Sequence, residues 1–297
     1  MRRAHALVAL AALSAVWGTQ YLVIRLVQAE LPPWRAVFLR FVFVALAAQV
    51  AVLATGARAP QRTMVLRLAM GATQALSMGL LYVGQKQIAS ALSSVLMATT
   101  PLLVVVMAHR WLGERALARS FAAGAAGIAG IVVIASTQWG DRLAAGGVAL
   151  VLGAALASAA SKTIGKAITD LPIAILLRDM GVVVAALGLA ASIVVEREVP
   201  WTLGARELMG AAYLGLVASA GANVLYFVLL RRVDVSRLSY LQLVSASVGL
   251  IAGVLIAGEH LGASTLTGTA LVLAGAAIHT SGAVHKVAVR RQEADSS

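Results

Sequence analysis

The chain has 297 residues, of which 60% are hydrophobic and only 12% are charged, with a net charge of +12 and no cysteine. Soluble domains carry roughly 25% charged residues, so this composition excludes a soluble protein. Apolar runs of about twenty residues, long enough to cross the hydrocarbon core of a bilayer, recur along the sequence and predict an all-α membrane protein. The short alternating strands of a membrane β-barrel do not occur.

The apolar runs predict ten transmembrane helices joined by short loops. The predicted ranges are 6–28, 34–54, 64–84, 88–109, 119–137, 146–165, 171–194, 207–230, 236–257 and 263–284. The first run follows Met1-Arg2-Arg3 and resembles a signal peptide. It continues to Val27 without an A-x-A cleavage pattern, so we expect a retained first helix.

The basic residues are distributed between the loops rather than gathered on one face or in a tail. Ten helices place sixteen Lys and Arg in the loops on one side and five on the other. Because basic loops remain in the cytoplasm, both termini are predicted to be cytoplasmic. The positive charge is thus predicted to orient the chain and meet anionic lipid of the bilayer, and we exclude nucleic acid as a partner.

The sequence also predicts an internal duplication. Gly113-Glu114 ends the fourth apolar run and Gly258-Glu259 ends the ninth, at an offset of 145 residues. Leu31-Pro32 before the second helix matches Leu171-Pro172 before the seventh. We therefore predict two five-helix repeats, 1–140 and 141–297. Since five is odd, the repeats must insert with opposite orientation, which is an architecture of transporters.

The chain resembles the drug/metabolite transporter superfamily, and within it the EamA-type ten-helix exporters. The residues that carry the resemblance are Trp17-Gly18, Arg40, Pro101 with Leu112-Gly113-Glu114-Arg115, and Gly258-Glu259. The resemblance implies a bacterial inner-membrane carrier that exports amino acids or other small metabolites, with a cavity formed by helices 1, 3, 4, 6, 8 and 9. It does not identify the substrate.

Uncharged polar residues near the middle of those helices are the predicted substrate site. An amide without a partner costs several kcal/mol in hydrocarbon, so such groups must face protein or a wet cavity. The predicted substrate-binding residues are Trp17, Gln20, Gln74, Ser77, Met97, Ser158, Asn223, Tyr226, Gln242 and Ser245. The alternative is that they only join helices to one another, and that Trp17 packs rather than stacks on a ligand. For Tyr82 and Tyr240 we favour anchoring at the membrane interface.

Placing an ionisable residue inside a membrane-spanning helix costs free energy, so each such residue is expected to have a structural or functional role. For Arg40 and Arg178 we favour a structural role, with carboxylate binding as the alternative. Asp179 is the candidate for proton coupling, and Arg25 is expected to be a snorkelling cap. Glu114 and Glu259 are expected to brace the start of the following helix, where the dipole favours anions.

Pro101 is predicted to let the fourth helix bend. The position at the same offset in the ninth helix is Ala246, so we expect no kink there. Helices 5 and 10 carry mostly apolar and small residues, among them Gly124, Gly127, Gly268 and Gly275, and are predicted to be scaffold or a homodimer surface.

Three classes of function require different residues in the spans. The inverted repeat with amides at mid-depth favours a secondary transporter that works by alternating access. An intramembrane enzyme would need a metal, serine or paired-carboxylate motif, and the sequence has none, nor a metal site among its five histidines or a cofactor motif. A passive channel or a non-transporting sensor is the alternative, although rings of like charge and filter motifs are missing. Substrate, direction, proton coupling and oligomeric state stay open.

Overall fold

The computed structural model of the protein describes residues 3–113, 126–127, 129–130, 132–134, 142–168, 170–230 and 241–274. Within those ranges the regular structure is helical. The helices are α1 (Arg3–Val27), α2 (Pro33–Thr55), α3 (Met64–Gln85), α4 (Ser90–Met97), α5 (Thr100–Leu112), α6 (Arg142–Lys166), α7 (Ile173–Val195), α8 (Ala205–Ala212), α9 (Ala222–Leu230), α10 (Leu241–Leu255) and α11 (Ala263–Ala274). A π-helix, Tyr213–Gly221, joins α8 to α9 without a break, and a single 3₁₀ turn, Gln61–Thr63, precedes α3.

In the described ranges seven helical stretches are long and apolar enough to cross a membrane, and two shorter apolar helices follow. The seven begin with Val8–Val27 and end with Ala205–Tyr226, and the two shorter ones are Val244–Leu255 and Ala263–Ala274. The ends of the seven longer stretches agree with the predicted ranges to within about one helical turn, whereas the predicted ninth and tenth helices extend into residues outside the described ranges. Most of the predicted fifth helix lies outside the described residues.

The exterior of the bundle is apolar, as a bilayer requires. Large aliphatic side chains such as Leu53, Val65, Val194 and Leu255 are mostly exposed. In a soluble protein so many exposed aliphatic residues would form an aggregating surface, whereas lipid tails are their natural solvent. The chain is a multi-pass membrane protein.

The glycines of the two Gly-Glu motifs have the same backbone role. Gly113 follows α5 with a φ of 68°, and Gly258 follows α10 with a φ of 65°. This left-handed conformation ends a helix and costs little only for glycine. The repeated glycine is therefore explained by the local geometry of a helix end.

Helices that correspond to each other in the two predicted repeats lie in direct antiparallel contact. In α7, Gly181 lies against Ala45 of α2, and Gly188 lies against Phe38, so the two helices run in opposite directions. Contacts of Gly249 with Ser94, and of Gly253 with Ala91, give the same relation for α10 and α4. Small residues allow these close approaches.

Two ionic clusters mark the two ends of the bundle. Arg25, at the end of α1, pairs with Glu259 beyond α10, and this side is called the Glu259 end. Arg67, near the start of α3, pairs with Asp179 in the second turn of α7, and this side is called the Asp179 end.

Candidate functional site

Several of the predicted site residues lie on helix faces that point away from lipid. Trp17 is nine residues from both Val8 and Leu26, which are mostly exposed, and therefore lies about 180° around α1 from them. Gln74 is two residues from the exposed Leu76 and so faces the opposite way, about 160° around α3. Both side chains are nevertheless partly exposed. Their exposure is therefore to a space inside the bundle.

The predicted site residues whose side chains the structure describes fall into two groups by their exposure. Those that are partly exposed are Trp17, Gln20, Gln74, Asn223 and Tyr226, and those that are buried are Ser77, Met97, Ser158 and Ser245. The hydroxyl of Ser77 donates to the carbonyl of Ala154 at 2.8 Å, joining α3 to α6. The side chain of Gln242 lies outside the described residues.

Trp17 and Tyr226 lie against each other. Their ring centroids are 5.7 Å apart and the ring planes are inclined by 39°. Both pack on a small apolar cluster of Leu13, Ala222 and Leu241 that joins α1, α9 and α10. Two aromatic side chains from different halves of the sequence thus line one part of the interior.

Asn223 and Gln74 keep hydrogen-bonding capacity. The Nδ2 atom of Asn223 donates to the carbonyl of Ser219, one turn back, at 2.7 Å. Its side-chain oxygen has no donor among the described residues. No described residue bonds the Gln74 amide. A partly exposed amide of this kind can bind water or a ligand.

Arg40 is the centre of a polar cluster that joins four elements. The residue is only 4% exposed. Its guanidinium donates to the side-chain oxygens of Gln20 at 3.0 Å, Tyr82 at 3.3 Å and Ser219 at 3.0 Å. These acceptors belong to α1, α3 and the π-helix, and all three are neutral. One side chain thus ties four elements together, and the structural role favoured for Arg40 stays a prediction, with carboxylate binding as its alternative.

The burial of Tyr82 shows that one prediction was wrong. We expected it to anchor the chain at the membrane interface, but its exposed fraction is 0%. Its hydroxyl accepts from Arg40, and its backbone carbonyl accepts from the Gln28 amide at 2.8 Å. The side chain therefore points into the bundle, where its hydroxyl is one of the three acceptors of Arg40. The predicted partner, Tyr240, lies outside the described residues.

Glu259 braces a helix start, but not that of the following helix. Its carboxylate accepts from the backbone amides of Ser90 and Ala91, both at 2.8 Å, and from the Ser90 hydroxyl at 2.7 Å. It therefore caps α4, where unpaired amides and the helix dipole favour an anion. Arg25 bonds the same carboxylate at 2.7 Å, so it is an ion-pair partner as well as a residue near the interface. Glu114 lies outside the described residues.

Asp179 is held between two arginines. Arg67 donates to one carboxylate oxygen, and Arg178 donates to the other from Nε at 2.7 Å. Arg178 therefore folds back on its neighbour in sequence, although adjacent helical residues point about 100° apart. Proton coupling through Asp179 stays a prediction, and it would have to proceed with these two ion pairs in place or break them.

The fourth predicted helix is interrupted near Pro101. Ala98 and Thr99 form a turn between α4 and α5. Proline has no N–H to donate to the carbonyl of Met97, and the Thr100 hydroxyl takes that place at 2.7 Å. By contrast α10, which carries Ala246 at the corresponding position, is continuous from Leu241 to Leu255. The expected difference between the two helices is present.

Two structural features were not predicted from the sequence. One is the π-helix Tyr213–Gly221, where Ser219 accepts from Arg40 and donates to the Leu214 carbonyl at 2.8 Å. Its wider turn places this hydroxyl five residues from its acceptor, and π-helical segments are frequent at functional sites. The other is Glu196, which caps α2 by accepting from the amides of Trp34 at 2.7 Å and Arg35 at 3.0 Å.

Buried and accessible positions on the interior faces of α1 and α6 differ in their depth along the bundle. On α1, Ile24 is buried while Gln20 and Trp17, one and two turns deeper, are partly exposed. On α6, Val151 and Ser158 are buried, whereas Lys162 is exposed. Lys162 is about 120° around the helix from Leu156, which is exposed on the lipid side. The accessible positions on these helices thus lie at mid-depth and toward the Asp179 end.

Comparisons with known proteins identify a family and a solved structure that are similar to this chain. The sequence model of the EamA-like transporter family matches residues 4–136 and again residues 145–281. A protein of known crystal structure, 20% identical in sequence, superposes with a TM-score of 0.67 over 95% of this chain and 99% of its own, which shows the shared fold. No curated protein matches the sequence significantly. Members of the matched family are membrane transporters of small molecules rather than enzymes. Because the two matches together span most of its length, the chain belongs to the EamA-like transporter family.

Proposed function

We propose that the protein is a secondary transporter that exports small polar or amphipathic metabolites, such as amino acids, by alternating access. In this proposal residues 1–140 and 141–297 are two five-helix halves in inverted orientation. The support is the antiparallel contact of α2 with α7 and of α4 with α10, since an inverted repeat requires corresponding helices to run in opposite directions.

The remaining contacts support the same relation between the halves. α3 packs on α7, and α2 packs on α8 and the π-helix. α1 packs on α10, and α6 packs on α4 and α5. When every helix is replaced by its counterpart in the other half, the contact of α3 with α7 becomes the contact of α8 and the π-helix with α2. In the same way, the contact of α1 with α10 becomes the contact of α6 with α4 and α5.

The observation that carries the proposal is the partly exposed amides on the interior faces. Gln74 is surrounded on its face of α3 by buried residues, and yet it is accessible and has no partner among the described residues. An unpaired amide at this depth is costly unless water or a ligand satisfies it. We propose that Trp17, Gln20, Gln74, Asn223 and Tyr226 contact the substrate, with Ser77, Met97, Ser158, Gln242 and Ser245 around them.

In the proposed cycle this conformation is open toward the cytoplasm. The excess of basic residues in its loops supports a cytoplasmic position for the Asp179 end and for both termini, in the bacterial inner membrane that the family resemblance implies. The Glu259 cluster closes the other side. Opening there requires Glu259 to release either Arg25 or the start of α4, and the break beside Pro101 allows α4 to move without α5.

The test is transport by the purified protein in proteoliposomes, screened over amino acids and related metabolites with and without a pH gradient. Gln74→Ala and Asn223→Ala are expected to weaken transport of any accepted compound by about tenfold, the loss of one good hydrogen bond. Gln61→Ala, in the exposed turn before α3, is the matched control. Unchanged rate and affinity in both site variants would contradict the substrate site.

A further inference from the structure

Arg40 is a buried cation with no anionic partner among the described residues. Its three acceptors are an amide, a phenol and an aliphatic hydroxyl. The described ion pairs involve Asp179, Glu198 and Glu259, and none includes Arg40. A charge at this depth in a membrane protein is expensive and usually belongs to a functional site.

Arg40 fixes the orientation of the Gln20 amide. A guanidinium can only donate, so the Gln20 oxygen must face Arg40 and the amide nitrogen must face away. One N–H of that nitrogen donates to the Trp17 carbonyl at 3.1 Å. The other N–H has no acceptor among the described residues, and the side chain is partly exposed to the interior. Gln20 therefore offers a donor to an incoming ligand, polarised by the positive charge behind it.

Lys162 is a second positive charge on a helix face that points away from lipid. Its side chain is exposed on α6 although it lies away from the lipid-facing side of that helix. It is four residues from the end of α6, on the side of the Asp179 end. No described carboxylate lies within ion-pair distance of it. We infer that a ligand entering from this end is first attracted by the Lys162 ammonium and then by the field of Arg40.

We propose that the transported compound carries a carboxylate, which binds the free N–H of Gln20 next to Arg40 and is attracted into the interior by Lys162. This inference rests on the proposed transport function and adds the substrate class. Gln20 is the binding residue, and Arg40 is a positioning residue that acts through it. A bound carboxylate supplies the negative charge that the cluster around Arg40 lacks.

The first experiment compares acids with their primary amides in proteoliposomes. The probes are phenylalanine with phenylalaninamide, leucine with leucinamide, and phenylacetate with phenylacetamide. Binding is followed in parallel as thermal stabilisation of the detergent-solubilised protein. The acid of at least one pair is expected to be transported, and to bind about tenfold or more tightly than its amide, because a hydrogen bond to a charged group is lost in the amide.

The decisive variant is Gln20→Glu, which places a carboxylate within reach of Arg40 without changing the size of the side chain. It is expected to retain or raise the melting temperature, because it completes an ion pair. It is also expected to lose most of the preference for the acid, by about tenfold. Arg40→Gln alone would not separate folding from recognition, whereas Gln20→Glu does.

Lys162→Gln is expected to weaken acid transport from the Asp179 end about three- to tenfold, with Lys162→Arg restoring it, and the difference should shrink at high salt. Arg62→Gln, an exposed cation in the turn before α3 at the same end, is the control for general surface charge. Equal transport and binding of acid and amide, or an unchanged preference in Gln20→Glu, would overturn the inference and leave the transport function standing. Acid-selective stabilisation without transport of any probe would support carboxylate binding at Gln20 and contradict the transport function.

Discussion

The Oε1 atom of Glu259 lies 2.8 Å from the backbone nitrogen of Ser90, a residue 169 positions earlier in the chain. The carboxylate of Glu259, which follows α10, thereby caps the N-terminus of α4. Arg25 of α1 binds the same oxygen atom at 2.7 Å. One side chain thus fixes three helices at the Glu259 end, and it is the main contact that must break if that end is to open.

Glu259→Gln is expected to destabilise the protein by about 1–3 kcal/mol, since one of its two acceptor oxygens becomes a donor facing other donors. The melting temperature should fall by about 2–10 °C. Fluorescence-monitored unfolding in detergent measures this. Glu30→Gln, at an exposed position of the same end, should leave the melting temperature unchanged, and an equal loss in both variants would disprove the capping role.

Gly18→Ala is expected to separate α1 from α10. A Cβ at Gly18 would lie 2.6 Å from the carbonyl oxygen of Ser245, a backbone atom that cannot rotate away. Overpacking of this kind costs about 1–3 kcal/mol. Gly262→Ala is the control, because nothing lies within 4 Å of a Cβ placed there. A stable, fully active Gly18→Ala protein would show that the helices tolerate a wider spacing.

Pro101→Ala is expected to reduce transport without reducing stability. The new N–H can donate to the Met97 carbonyl, which now accepts only from the Thr100 hydroxyl, so α4 and α5 should become more continuous. We expect a severalfold lower transport rate with an equal or higher melting temperature. Pro60→Ala, in the exposed loop before α3, should change neither quantity. A full transport rate in Pro101→Ala would remove the helix break from the mechanism.

Asp179→Asn separates the structural role of this residue from proton coupling. Loss of its charge leaves Arg67 and Arg178 without their shared anion, so the free energy of unfolding should fall by about 1–3 kcal/mol. Asp170→Asn, at an exposed position, is the control. If Asp179 couples protons, stimulation of transport by a pH gradient disappears in Asp179→Asn. Stimulation that persists in the destabilised variant would assign the residue to structure alone.

The sequence predicted the apolar spans and several accessible polar residues because both follow from local patterns. The runs of apolar residues marked most of the helices, and amides in mid-span marked Gln20, Gln74 and Asn223. The glycine of the Gly258-Glu259 motif also has a local explanation, the left-handed backbone at a helix end.

Local sequence patterns do not predict contacts between segments that are far apart in the chain. We expected Glu259 to brace α11, the next helix in sequence, whereas it caps α4. The position of Tyr82 near a helix end predicted a place at the membrane interface, whereas its hydroxyl accepts a hydrogen bond from Arg40 inside the bundle. The π-helix at Tyr213–Gly221 has no residue pattern that distinguishes it from an α-helix, and the accessible Lys162 was counted only as a loop cation.

The most direct measurement is the accessibility of Gln74→Cys in sealed vesicles, which the absence of native cysteines makes possible without background. A membrane-impermeant thiol reagent should react with this cysteine from the Asp179 end in the resting protein. With the Glu259 cluster broken by Glu259→Gln, reaction should shift toward the opposite side. Equal reaction from both sides in the resting protein would indicate a channel, and no reaction from either side would show a closed, filled interior. Either result would contradict alternating access through this site.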